Sequence, residues 1–273
     1  MSVSKVWFVT GASRGFGRIW VEAALKRGDR VAATARKPAA LAELAARYGE
    51  ALLVLALDVT DRAAVFDAVA RAQQHFQRLD VILCNAGYGY MGAIEELEHE
   101  QVQANFDTNV FGTLSVIQAA LPILRAQGSG HILTMSSIGG VIGFPTGGSY
   151  TASKFAVEAM SEALAGEVAA FGIKVTIIEP GQYATGFQAA VQPAPAIAAY
   201  DTIRQAIRAS FKAGEVGDPS ATAAAIFAAV DADVAPLRLV LGSATIARLR
   251  ATYTARLHNW AAWETVSNAA QGS

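Results

Sequence analysis

Apolar residues recur along this chain in two alternating rhythms. Short unbroken runs fit strands buried on both faces: Val6–Thr10, Arg30–Ala35, Leu52–Leu57, Val81–Cys84, His131–Ser137, Lys174–Glu179 and Arg238–Leu241. Between them, apolar positions return every three or four residues, as on the buried face of a helix. Arg18–Arg27 is one such stretch, closed by Gly28, and Asp61–His75 is another, with Val65, Val69, Ala72 and Phe76 on its apolar face. Helices are also predicted for 38–48, for a long stretch of about 98–125, and for the residues from Tyr150 onward. A last helix, about 244–264, carries Ile246, Leu249, Tyr253, Leu257 and Trp260 at helical spacing. Strand and helix alternate throughout, which predicts an α/β fold: a doubly wound parallel sheet of about seven strands with helices on both faces. There is no internal repeat and no dividing linker, so 1–273 reads as a single domain.

Composition narrows the class. A net charge of −1 and 53% apolar residues suit a globular domain and offer no basic surface for nucleic acid. The start of the chain runs into a strand without a basic leader and apolar core, and no signal peptide is read. No apolar run approaches the roughly 18 residues that span a bilayer. The one cysteine, Cys84, sits in an apolar strand and reads as a buried, inert thiol. His75, His99, His131 and His258 lack metal-ligand spacing. The expectation is a cytoplasmic, metal-free protein with no membrane or nucleic-acid partner.

Chemistry enters at the first strand. Gly11-Ala-Ser-Arg-Gly15-Phe-Gly17 separates it from the first helix, the strand–turn–helix context in which a backbone approaches a pyrophosphate closely. The second strand ends at Arg36, where an NAD-binding domain would carry an acid for the ribose hydroxyls. Arg36 and Arg14 are suited instead to a ribose 2′-phosphate, since guanidinium binds phosphate through paired hydrogen bonds. These residues favour NADP(H); two solvated surface arginines are the plainer alternative.

The second constellation is Tyr150-Thr-Ala-Ser-Lys154. Residues four apart share a helix face, so a phenol lies beside an ammonium. A neighbouring positive charge lowers a phenol's pKa and suits it to proton transfer with a carbonyl oxygen or an alcohol. Ser137, at the end of its strand, can offer a hydrogen bond to the same oxygen. Asn109 falls in the middle of the long helix, where it reads either as a tolerated polar residue or as a local irregularity that frees a backbone carbonyl for a water. The acidic run Glu95, Glu96, Glu98 and Glu100 reads as a solvated helix start.

Together and in order, Thr10–Gly17, Asp58-Val59, Asn85-Ala86-Gly87, Asn109–Gly112, Ser136-Ser137, Tyr150–Lys154 and Pro180-Gly181 resemble the short-chain dehydrogenase/reductase superfamily over at least residues 5–242. The narrower likeness is to its carbonyl-reductase and hydroxysteroid-dehydrogenase-like members. The resemblance implies a Rossmann-type sheet and a catalytic tetrad of Asn109, Ser137, Tyr150 and Lys154. In it Tyr150 is the acid/base and Ser137 holds the carbonyl oxygen, while Lys154 lowers the tyrosine pKa and binds the nicotinamide ribose. Asn109 would hold a water. The cofactor set it implies is Gly11, Ser13, Arg14, Gly15, Phe16, Gly17, Arg36, Asp58, Val59, Asn85, Ala86, Gly87, Tyr150, Lys154, Pro180, Gly181 and Thr185. Within that set Asp58 and Val59 would contact adenine, and Thr185 and the Pro180 backbone would fix the carboxamide. Cys84 stands where the family has asparagine, which implies a packing change without loss of activity. A homodimer or homotetramer through the helices of Asn109 and Tyr150 is expected. A dinucleotide sensor without turnover is the alternative from another class, disfavoured because both Tyr150 and Lys154 are kept.

Segments leaving the carboxyl ends of the strands should line the substrate pocket. These are Tyr88–Met91, Ile138–Gly148 with Val141, Ile142 and Phe144, and a mobile apolar lid at about 182–217 with Phe187, Val191, Pro193, Pro195, Ile197, Tyr200, Ile203 and Ile207. Between Lys154 and Arg204 the only basic residue is Lys174, which begins a strand. The expected substrate is a small-molecule carbonyl or alcohol that is bulky, uncharged and apolar.

Overall fold

In a computed structural model, residues 4–210 and 216–272 are described, and expectations touching 1–3, 211–215 and 273 lie outside them. The strands are β1 Val6–Val9, β2 Arg30–Ala35, β3 Leu52–Ala56, β4 Val81–Cys84, β5 Tyr90–Met91, β6 Gly130–Met135, β7 Ile173–Pro180, β8 Gln192–Pro193 and β9 Arg238–Leu241. The helices are α1 Gly15–Arg27, α2 Ala42–Tyr48, α3 Arg62–Phe76, α4 His99–Phe106, α5 Gly112–Gln127, α6 Gly148–Val168, α7 Asp201–Ser210, α8 Ala223–Asp231, α9 Ser243–Ala262 and α10 Glu264–Ala269.

Seven strands form one parallel sheet in the order β3-β2-β1-β4-β6-β7-β9. Alternation along β1 shows why both faces are covered. Val6 and Phe8 point into a layer built from α3, α5 and α6, whereas Trp7 and Val9 point into one built from α1, α2 and α8. A strand apolar on both faces needs helices on both, which is the fold that the alternating rhythm predicts. The strand order reverses between β1 and β4, so the turns after these two strands flank the crevice where such sheets bind nucleotides.

Several elements depart from expectation. The long helix is two, α4 and α5, joined through a π-helical turn over Asp107–Phe111 that holds Asn109. Taken together, His99–Gln127 is long and apolar enough to cross a membrane by length and composition, but 56% of its apolar window is buried in the domain. It packs as a core helix on α3, β4 and β6. β6 ends at Met135, two residues before Ser137. The stretch from Pro38 begins as a 3₁₀ turn before α2, and α8 falls in a stretch with no predicted element.

The lid forms β8, which pairs in parallel with β5 to make a second small sheet. Pro193, Pro195, Ile197 and Ile203 are exposed. The final stripe does not cover its own domain either: Tyr253, Leu257 and Trp260 are exposed, and α9 is tied inward by Arg256, which donates to the Val141 carbonyl at 2.9 Å.

Candidate active site

The glycine turn and the β4 turn are built against each other. Gly11 has φ +68°, and a Cβ there would stand 2.9 Å from the Ala86 Cα. A side chain is therefore excluded both by conformation and by space. Asn85 fastens the two turns, donating from Nδ2 to the Thr10 and Gly11 carbonyls at 3.0 and 3.1 Å. Thr10 Oγ1 accepts in return from the Asn85 and Ala86 amides. Asn85 and Ala86 thus hold the turn's shape.

Gly15, with φ +57°, opens α1 and faces the Thr185 carbonyl. The amides of Gly15, Phe16 and Gly17 begin the helix without helical acceptors, beside Ser13 in the turn, and form a cradle for an anion. The Phe16 ring points away from the cradle and stacks on Trp20 at 4.9 Å, so its side chain packs the core.

Around the β2 and β3 ends, an open cleft of about 340 Å³ is lined by Arg36, Ala56, Leu57, Asp58, Asp61 and Ala64. Both acids are turned to their own backbone. Asp58 accepts from the Thr60 amide and hydroxyl, and Asp61 caps α3 by accepting from Ala64 N at 3.0 Å. Arg36 and Arg14 are exposed and form no ion pair among the described residues. Val59 is buried against Gly112, the first residue of α5, so it shapes the floor between this cleft and α5.

On the other side of the switch point, Gly87 lies between two polar groups. A Cβ there would stand 2.9 Å from Asn109 Oδ1 and 3.5 Å from Lys154 Nζ. The buried Asn109 amide is fully engaged. Its Oδ1 accepts from Tyr88 N at 3.0 Å, and its Nδ2 donates to Tyr88 O at 3.0 Å and to Ser153 Oγ at 2.9 Å. The π turn aims this side chain, and the Asn109 carbonyl accepts from Thr113 Oγ1 at 2.9 Å. The local irregularity takes the form of this π turn. Asn105, one turn earlier and fully buried, also donates to Tyr88 O at 3.0 Å. Asn105 and Ser153 escaped sequence reading, although Asn105 and Asn109 at four-residue spacing were a visible signal.

Tyr150 is in the first turn of α6, with its hydroxyl next to Ser137, whose Oγ accepts from Gly139 N at 3.0 Å and lies 3.5 Å from the Pro180 carbonyl. Gly181 has no room for a side chain against Thr245 and joins the β7 end to α9. Lys154 is 4% exposed, with Nζ donating to Met135 O at 2.7 Å. The expected lowering of the phenol is reversed: burial pushes Tyr150 up to about 12, and Ser137 offsets this only in part. Burial pulls Lys154 down to about 8, while Glu158 supports its charge. The ammonium faces a carbonyl and Gly87, 5.9 Å from the phenol ring centre, which is why desolvation outweighs it. Cys84 is buried and pushed up to about 12, as expected for an inert thiol.

The lid closes over this end. The Phe187 ring lies 5.4 Å from that of Tyr150, and Phe187 and Val191 crowd Gly89. Its anchor is polar and corrects the reading of the acidic run. Glu96 is buried; it accepts from Ala93 N and Ile197 N, both at 2.7 Å, and pairs with Arg204 at 2.5 Å. These hydrogen bonds, Ile197 first, hold the Glu96 carboxyl below the usual carboxylate range.

A glycine-rich turn opens a helix at the sheet's switch point, beside the half-buried Ser137 and the buried Tyr150 and Lys154, an arrangement that fits an oxidoreductase. Residues 5–196 match the family model described as short chain dehydrogenase, and the chain belongs to that family. It is 41% identical over 246 residues to "Oxidoreductase BOA17" of Botryotinia fuckeliana, spanning 88% of this chain and 89% of that one. It is 42% identical over 183 residues to "3-ketodihydrosphingosine reductase" of Bacteroides thetaiotaomicron, spanning 67% and 65%. Among solved structures, a short-chain dehydrogenase from Streptomyces avermitilis superposes with a TM-score of 0.91 at 39% identity, over 99% of this chain and 100% of that one. More distant neighbours carry either cofactor form. An alcohol dehydrogenase from Thermococcus sibiricus is complexed with 5-hydroxy-NADP (TM-score 0.74, 26% identity, 88% and 97% covered). A relative from Burkholderia phymatum is in complex with NAD (TM-score 0.78, 25% identity, 90% and 92% covered).

Proposed function

We propose that the protein is an NADP(H)-dependent carbonyl reductase that reduces bulky, uncharged ketones or aldehydes to alcohols, with Tyr150 as general acid. The observation that carries this is the buried Tyr150 side chain, with Ser137 beside its hydroxyl and the Phe187 ring 5.4 Å from its own. Burial raises the Tyr150 phenol, so it holds its proton at neutral pH, the form a general acid needs at the start of reduction. Ser137 shares the carbonyl oxygen, and Lys154 supplies positive charge behind the phenol. Asn109 fixes the Tyr88 backbone opposite.

The cradle from Gly11 to Gly17 and the Arg36 cleft fit a dinucleotide phosphate. Arg14, Arg36 and the remaining expected set, Asp58, Val59, Asn85–Gly87, Pro180, Gly181 and Thr185, would hold it, and NADP(H) supplies the hydride when bound. Arg36 supports the phosphorylated form: it is exposed at the cleft and pairs with neither Asp58 nor Asp61 among the described residues. Substrate bulk is supported by the apolar surface of Phe187, Val191 and Met91, and by the likeness to a reductase of a long-chain keto compound. Arg204 is spent on Glu96 and Asp201 and is not itself free for a keto acid.

With this reading go a cytoplasmic location, no membrane or nucleic-acid partner, and a homodimer or homotetramer. The half-exposed Phe111 and the exposed Phe155, on the π turn and α6, support the assembly. Following NADPH absorbance over a panel of alkyl, aryl and polycyclic ketones beside charged keto acids tests the function. Turnover rising with apolar size is expected; preference for keto acids, or no turnover, overturns it.

A further inference from the structure

Tyr150, Lys154, Glu158 and Glu162 follow one another at four-residue steps on α6, so they share one face that runs from the active site toward the far end of the helix. Lys154 and Glu158 are buried, as is Glu179 on the neighbouring β7, at 4, 6 and 1% exposure. Glu179 immediately precedes Pro180, whose carbonyl faces Ser137. The two carboxyls share one guanidinium: Arg238 Nε lies 3.3 Å from Glu158 Oε2 and 3.3 Å from Glu179 Oε1, while its Nη2 turns to Glu162 at 2.7 Å.

Glu158 Oε1 is buried without a hydrogen-bond partner among the described residues, and Glu179 Oε1 faces Arg238 Nε as an ion pair without a hydrogen bond. Two buried carboxylates sharing part of one cation repel each other, whereas one proton between them gives an orphaned oxygen a partner and removes a charge. The titratable and charged groups facing the pair are Lys154 and Glu162 from α6 and Arg238 from β9; the loop after β6 offers the neutral Ser136 hydroxyl.

We infer that Glu158 and Glu179 form a carboxyl pair that holds one proton on Glu179 and leaves Glu158 as the buried counter-charge that keeps Lys154 cationic. Both are positioning residues, acting on the reaction through Lys154, and the inference rests on the proposed role of that lysine. Burial and the neighbouring Glu158 push Glu179 up to about 7, consistent with a proton retained in the neutral range. Glu158 supports the Lys154 charge against its burial.

The test is spectroscopic and needs no cofactor. The chain has six lysines, so the ¹³Cε titration of Lys154 can be resolved, with Lys154→Arg for assignment. Glu158→Gln should lower the Lys154 midpoint by about one pH unit, the scale of losing an adjacent opposite charge. Glu179→Gln, which imitates the protonated partner, should move it by less than half as much. Infrared spectra should show a protonated-carboxyl band that titrates near neutral pH in the wild type and is absent in Glu179→Gln. An unmoved lysine midpoint in Glu158→Gln, or equal shifts in both variants, overturns the inference. If Glu158→Gln does not fold, lack of that band in the wild type, or its persistence in Glu179→Gln, overturns it alone. Failure of the catalytic reading would appear separately, as turnover surviving in Tyr150→Phe.

Discussion

Desolvation sets the character of single residues here. His131 is buried on β6 with Nε2 2.9 Å from Thr176 Oγ1, and burial, with Lys174 and Lys5 nearby, pulls it down to about 4 from 6.5. The unfolded chain takes up this proton near pH 6.5 and the folded one only near 4, so stability present above 6.5 is lost as pH falls toward 4. By pH 5 the loss from His131 is about 2 kcal/mol. Denaturant midpoints at pH 7 and pH 5 should therefore converge in His131→Gln, and an unchanged acid slope would remove His131 as the cause. Arg36 carries the cofactor prediction at the same scale. Arg36→Ala should cut the NADPH-over-NADH ratio of kcat/KM about tenfold or more, the size of one charge-assisted hydrogen bond; a ratio that stays put contradicts its role. Residue types at motif spacing were legible in the sequence, down to Ser137, Tyr150 and Lys154. The direction of the Tyr150 shift was not, because spacing puts Lys154 on the same face without saying that its Nζ turns to the Met135 carbonyl.

Elements obey the rhythm of apolar positions where their faces are simple, and depart from it where polar side chains intervene. All seven long strands were legible, since each is a run apolar on both faces. The break in His99–Gln127 was not, because a π turn leaves the apolar spacing nearly intact while it rotates Asn109 toward Tyr88. The lid shows the reverse error. Its apolar residues suggested a loose cover, yet a single buried carboxylate, Glu96, ties Ala93, Ile197 and Arg204 together. Within a run of four glutamates nothing in sequence marks which one is buried. Glu96→Ala should release the lid and raise KM for bulky ketones several-fold, with a smaller effect on NADPH binding. Unchanged KM would mean that β5–β8 pairing holds the lid unaided.

At the scale of the whole molecule, the strand order places the glycine turn after β1 and the Asn85 turn after β4 side by side, on either side of one crevice. The exposed Phe111 and Phe155 lead to an assembly prediction: light scattering at micromolar concentration should give a multiple of the chain mass, and a monomer would refute the dimer or tetramer. The central claim is that a proton on Tyr150 completes carbonyl reduction in this crevice. Single-turnover reduction of an uncharged aryl ketone by NADPH, in wild type and Tyr150→Phe with NADPH binding measured in both, tests it most directly. The account predicts a rate loss of at least about 10²-fold with binding nearly unchanged; a Phe variant within about tenfold of the wild-type rate would contradict it.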